Sequence, residues 1–317
     1  MFNWKEFIKQ KVRTVIGFNE TIKKIDECKD EINACKNGIE NVQAEMSVCK
    51  DEIRNNISMI IKNQILNRWK TVDAMDHLLY PDDFEITCRI CGHTAPKNTY
   101  KTKTSQCIFN GGRLERFICP ECECIFGPLK MFSLSQDELA DEYRQHYSVF
   151  NESDTTELGI IAFERLLPSK EKVYLNYGAG CWAESSQKLR EQGYVIYDYE
   201  PYAPAVEDPW LIRSADELKK QKFDGIFSND LIEHLRYPID ELKFMVSLLN
   251  EDGKMSHATG CYDYRYEYTR FHYFFFVGKS LEQLAKQIAM NVTVTGENTS
   301  TNVFFKNGVF SFSAKEE

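Results

Sequence analysis

From residue 172 onward, short β-rich runs alternate with helical ones, and this alternation leaves little choice of architecture. "KVYLNYG" precedes "WAESSQKLREQG", "YVIYDYE" precedes "SADELKKQ", and "FDGIFSND" leads through "LIEHL" and "PIDELKFMVSLLN" to "GKMSHATG". Parallel strands require crossover connections, usually helical, so the pattern predicts an α/β fold around a parallel sheet. Two helical runs come first: "SLSQDELADEYRQHY", opening on Ser/Asp caps, and "TTELGIIAFERLLP", stopped at Pro168. The tail "NVTVTGENTSTNVFFKNGVFSFS" is β-rich and split by Gly and Asn, so it reads as strands with a hairpin finishing the sheet.

The first strand of the alternation ends in Gly178-Ala179-Gly180. Glycine there lets the backbone approach a ligand at the carboxyl end of a strand, where open α/β sheets bind ligands. Glu200 ends the next strand, at about the spacing where an acid accepts from ribose hydroxyls. The pair predicts an adenosine cofactor without choosing between nicotinamide and other kinds. Asn176 stands where an acid is common, and Trp182 where a third glycine is often found.

Upstream, Cys88-x-x-Cys91 and Cys119-x-x-Cys122 form two knuckles, with Gly92 suited to the tight turn after the first. Four thiolates so spaced predict one tetrahedral zinc, and a closed four-sulfur set has a structural role rather than a catalytic one. Cys124, Cys107 and, less so, His93 compete for a position. An odd total of eleven cysteines, with paired C-x-x-C, fits a reducing compartment rather than a disulfide framework. "FNGGRLERF", between the knuckles, reads as a hairpin.

Residues 20–65 carry heptads. Ile25, Ile32, Ile39, Met46, Ile53 and Ile60 recur every seventh position, followed three residues later by Cys28, Cys35, Val42, Cys49 and Asn56. These are the a and d seams of a coiled coil about 70 Å long, joining two or three chains. One long helix folding back on its own globule is the competing reading. Before the rod, Trp4, Phe7, Ile8, Val12, Val15 and Ile16 fall at helical spacing among Lys5, Lys9, Lys11 and Arg13. Such a basic amphipathic helix either lies on an anionic membrane surface or packs within the protein. Pro81 marks the end of the helical stretch.

The formal charge of −9 argues against general nucleic-acid binding, which needs a basic footprint. No apolar run reaches the length of a membrane span, and the N-terminus lacks a secretory core. The expected location is cytoplasmic, with a peripheral contact on the cytoplasmic face of the membrane through the first helix.

Taken together, "KVYLNYGAGCWAESSQKLREQGYVIYDYEP", "FDGIFSNDLIEHLRYP" and "LLNEDGKMSHATG" resemble class I S-adenosylmethionine (SAM)-dependent methyltransferases over roughly residues 140–317. The resemblance implies a Rossmann-like, seven-stranded α/β domain at 135–317. It would be preceded by a zinc-binding module at 80–134, a coiled coil at 20–79 and an amphipathic helix at 1–19. It implies that Asn176, Gly178, Ala179, Gly180 and Glu200 meet the cofactor, that Asp216 lies near the adenine, and that Asn229 and Asp230 line the methionine end. Asn176 weakens one anchor for the ammonium group. A vestigial, non-catalytic fold serving as a coiled-coil scaffold is the reading of another class.

The order of modules is similar to that of bacterial cell-surface glycan methyltransferases. That similarity implies O-methylation of a lipopolysaccharide or O-antigen type sugar, including chain termination, on a lipid-linked glycan acceptor. A nucleotide-sugar C-methyltransferase and an RNA methyltransferase are the rival enzymes. A sugar hydroxyl needs help losing its proton, and histidine suits that task near neutral pH. His234 and His272 rank ahead of His257, and Glu233 is either a base or a helix residue. "CYDYRYEYTRFHYFFF", 261–276, is the expected acceptor wall, or a lid over the core.

Overall fold

The computed structural model describes residues 4–151, 153–180, 184–203, 207–294 and 301–305. Cys181, Trp182 and the tail hairpin after residue 305 lie outside them, as do the side chains of Trp4, Val15 and Ile16. Two compact units result, residues 1–61 and 62–317.

Helix α1 runs Trp4–Leu79, 76 residues, and makes up the described part of the first unit. Its heptad stripe meets solvent: Ile25, Ile32, Ile39, Met46, Ile53 and Ile60 are 50–58% exposed. Cys28, Cys35 and Cys49 are exposed as well.

The helix itself ends at Leu79, and the second compact unit begins within it, at Lys62. Heptad apolar spacing gives way there to Ile65 and Trp69, both buried. The Trp69 indole donates to Glu142 at 3.1 Å, and Arg68 and Arg270 reach the same carboxylate at 2.7 and 3.0 Å. Glu142 and Arg270 are fully buried, so each charge depends on the other for compensation.

Among the described residues the second unit holds three sheets. A seven-stranded one has the order β12-β13-β10-β9-β6-β7-β8. Its strands are β6 (Val173–Tyr177), β7 (Val195–Tyr199), β8 (Leu211–Ile212), β9 (Phe223–Asn229), β10 (Leu249–Ala258), β12 (Asn291–Val294) and β13 (Thr301–Phe305). The five from β6 to β10 are parallel, and β13 runs antiparallel between β10 and β12. The chain starts at β6, moves outward through β7 and β8, then returns to β9 on the other side of β6. That reversal opens a crevice at the carboxyl ends of β6 and β9.

Helices α3 (Gln136–Val149), α4 (Thr156–Glu164), α5 (Glu184–Glu191), α6 (Ala215–Leu218), α7 (Pro238–Leu248) and α8 (Ser280–Gln287) complete this half. Ala162 and Phe163 of α4 and Leu189 of α5 join Tyr174, Ile196 and Phe227 in one apolar cluster. Ser135 caps α3 in a reciprocal box with Glu138, satisfying two end N–H groups. The "SADELKKQ" helix is a single turn, Ala215–Leu218.

The cysteine module contributes a small ribbon, β1 (Glu85–Thr87) with β2 (Thr94–Pro96), and the hairpin of β3 (Lys101–Gln106) with β4 (Arg113–Ile118). The short strand β5 (Ile125–Phe126) and helix α2 (Leu129–Phe132) follow. A fourth strand, β11 (Phe274–Phe275), joins this sheet from the far end of the chain, pairing Phe274 with Phe126 and Phe275 with Ile125. The cysteine module and the α/β half thus share a sheet and lie in one compact unit.

Candidate active site

The glycine loop leaves β6 with both glycines at positive φ, Gly178 at 72° and Gly180 at 67°. Gly178 and Ala179 donate to Tyr199 O at 2.9 and 3.2 Å, tying the loop to the end of β7. A Cβ on Gly178 would sit 2.7 Å from Leu231 Cδ1, whereas one on Gly180 would meet nothing within 4 Å. The loop is thus closed on its β9 side and open at Gly180.

Glu200 spans that opening. Its carboxylate accepts from Gly180 N and Tyr202 N, both at 3.0 Å. Each oxygen keeps a further lone pair, enough for ribose hydroxyls. Asn176 behaves differently: its amide nitrogen donates to Ser186 Oγ at 3.0 Å, and Ser186 in turn donates to Asp198 at 2.5 Å. Arg190 completes the network at 2.9 Å from Asp198. Burial raises the Asp198 pKa, while Ser186 and Arg190 oppose the rise.

At the end of β9, Asn229 Nδ2 donates to Asp230 at 3.0 Å, and Asp230 takes a φ of 47°. Asn229 Oδ1 is buried without a hydrogen-bond partner, an acceptor left for a bound group. Asp216 opens α6 beyond the edge strand β8, exposed and paired with Lys219 at 3.0 Å. The loop, Glu200, Asn229 and Asp230 thus converge on one crevice, while Asp216 stands at its outer side.

A single 3-10 turn after β9, Ile232–His234, presents Glu233 and His234. His272 arrives from the 261–276 segment. Ligand atoms of the three lie within 4.8 Å of one another, and the two imidazoles meet edge to face with centroids 4.9 Å apart. Glu233 is fully buried; Thr259 donates to one of its oxygens and the other has no partner. Burial, with the nearby charge of Asp230, lifts the Glu233 pKa to about 8. Burial lowers His272 to about 4 and takes His234 well below its ordinary value, so both imidazoles are neutral near pH 7. His257 stands apart, inside the sheet against Ser228 at 2.8 Å, where burial lowers it to about 3.

Sequence reasoning missed several residues here. Tyr143 of α3 reaches His234 Nδ1 at 3.2 Å and stacks on Phe271 with centroids 4.3 Å apart. Arg116 of β4, buried, donates to the carbonyls of Glu267, Thr269 and, at 3.4 Å, His272. No local pattern marks either one; only the fold brings them to the site.

The knuckles form a separate cluster. Cys88, Cys91, Cys119 and Cys122 could hold a metal ion, with Sγ–Sγ separations of 3.7 Å for Cys88–Cys122 and 3.5 Å for Cys91–Cys119. Those spacings approach the roughly 3.8 Å edge of a tetrahedron with Zn–S bonds of about 2.3 Å. The turns are equivalent: Gly92 N donates to Cys88 O at 2.8 Å and Glu123 N to Cys119 O at 2.9 Å, with both residues at positive φ. Cys124 Sγ donates to the Phe275 carbonyl at 3.4 Å.

Residues 140–293 match a family model described as a methyltransferase domain, just under half of the chain. No curated protein matches in sequence. Among solved structures, the chain is similar to the 1,6-didemethyltoxoflavin-N1-methyltransferase of Burkholderia thailandensis, solved with S-adenosylhomocysteine. That match has 16% identity and a TM-score of 0.43, covering 62% of this chain and 96% of that one. It is similar also to magnesium protoporphyrin IX methyltransferase of Synechocystis, solved with SAM, at 14% identity and a TM-score of 0.31, covering 56% and 95%. The sheet order and the glycine loop define the class, a Rossmann-like α/β fold. More particularly, the matched segment, residues 140–293, carries the sequence pattern of a methyltransferase domain.

Proposed function

We propose that the protein is a SAM-dependent O-methyltransferase acting on a sugar hydroxyl of a bacterial cell-surface glycan. The observation that carries this reading is the convergence of Glu233, His234 and His272 beside the end of β9. SAM, when bound, supplies a methyl group already activated on sulfonium sulfur. Gly178, Gly180 and Glu200 hold the adenosine end, and the orphaned Asn229 Oδ1 faces the methionine end. The remaining work is to orient an acceptor hydroxyl and help it lose its proton, and the trio stands where that happens. Aromatic and charged residues at 261–276 form the wall on which sugar rings stack.

The four cysteines hold a structural zinc in this reading. The exposed heptad seam joins two or three chains, and the basic first helix rests on the cytoplasmic leaflet beside a lipid-linked acceptor. Among the described residues no helix is long and apolar enough to cross a membrane. Sedimentation of the full chain would show a dimer or trimer, and a monomer would overturn the rod's role. Transfer of labelled methyl from SAM to lipid-linked glycan tests the activity. Transfer only to free small molecules, or to RNA, would refute it.

A further inference from the structure

We propose that Glu233, His234 and His272 bind one divalent cation, and that this cation activates the acceptor hydroxyl. One carboxylate and two imidazoles, their ligand atoms within 4.8 Å of one another, form a set suited to manganese, iron or cobalt as well as zinc. Cysteine takes no part, which separates the site chemically from the four-thiol cluster.

Three further features point to a ligand. One Glu233 oxygen is buried without a partner, while Thr259 fixes the other. A buried polar oxygen without a partner is costly, and a bound cation would give it one. Both imidazoles are oriented through Nδ1: His272 Nδ1 lies 2.9 Å from Tyr266 O and His234 Nδ1 lies 3.2 Å from the Tyr143 hydroxyl. A carbonyl only accepts, so the His272 proton sits on Nδ1 and Nε2 keeps its lone pair. Histidine ligands of metals are commonly fixed in this way, through the other ring nitrogen. Finally, His234 and His272 are each only partly buried, whereas Glu233 is enclosed.

The chemistry balances simply. Coordination lowers the pKa of the sugar hydroxyl, whose proton passes to solvent. The oxygen then attacks the methyl carbon; a C–O bond forms as the S–C bond breaks, and that electron pair remains on sulfur. The catalytic step rests on the O-methyltransferase reading, whereas metal binding is measured without any acceptor.

The test uses the full zinc-containing chain and Mn2+ alone, followed by electron paramagnetic resonance. The expected result is one bound Mn2+ per chain with nitrogen hyperfine coupling. Glu233→Gln and His272→Ala should each weaken binding at least about ten-fold. Glu200→Ala should leave it unchanged. No bound Mn2+ in the wild-type chain, binding without nitrogen coupling, or equal binding in all variants would overturn the proposal. The nitrogen coupling is read on wild-type protein, so it holds even where a variant fails to fold. Failure of glycan methylation with Mn2+ still bound would refute the acceptor and leave the metal site standing.

Discussion

Arg116 donates to the backbone carbonyl of Thr269 at 2.8 Å, and this bond joins the cysteine module to the 261–276 segment. Arg116 lies on β4, just before the second knuckle, while Thr269 lies three residues before His272. The guanidinium is fully buried, sits 5.0 Å from the Phe275 ring centroid, and also takes Glu267 O at 2.7 Å. The module is therefore the support on which the 261–276 segment is shaped.

Replacing Arg116 by Met keeps the bulk and leaves those carbonyls unpaired. A loss of about 1–3 kcal/mol in stability is expected, read from the denaturant midpoint. Methyl transfer should fall further than SAM affinity, because His272 moves and the glycine loop does not. Equal losses in both would contradict a local support role.

The zinc reading makes a compositional prediction. Metal analysis of the purified chain should find close to one zinc per chain at the thiol cluster. Chelation should lower the melting temperature, and zinc addition should restore it. Wild-type protein with no zinc and no response to chelator would refute a structural metal.

His146 of α3 predicts a pH dependence. Burial, then the charge of Arg270, lowers its pKa from 6.5 to about 4. Its ring packs against Phe109, Phe150 and Phe271. Between pH 6.5 and about 4 the unfolded chain takes a proton that the folded chain refuses. Stability from this group is present above pH 6.5 and is lost as pH falls toward 4, by at most about 1.4 kcal/mol per pH unit. His146→Phe should give a shallower decline of melting temperature across that window; an unchanged slope would exclude the contribution.

How much of this was legible in the sequence follows from the range of each interaction. Strand and helix alternation is local, as are the Ser135–Glu138 box and the two knuckle turns, so those elements could be read directly. The glycine loop and Glu200 were legible because a fixed fold relates them through adjacent strands. The pairing of Phe274 and Phe275 with β5 was not, since two-residue strands carry no period and their partners lie far away in the chain. The meeting of His272 with Glu233 depends on that pairing. The burial of Ile65 and Trp69 was not legible either, since both continue a helical stripe whose exposed part precedes them in the same helix. Asn176 was read as facing the cofactor, and its bond to Ser186 needed the packing of α5 to be seen.

The central claim is that the crevice at the carboxyl ends of β6, β7 and β9 binds SAM. Isothermal titration of the full chain with SAM tests it most directly, with Glu200→Ala beside the wild type. Removing the carboxylate that bridges Gly180 and Tyr202 takes away both the ribose acceptor and the loop's clasp. One SAM per wild-type chain is expected, with affinity at least about ten-fold weaker in Glu200→Ala, a loss of about 1.4 kcal/mol or more. No binding by the wild type, or equal affinity in both proteins, would contradict the account.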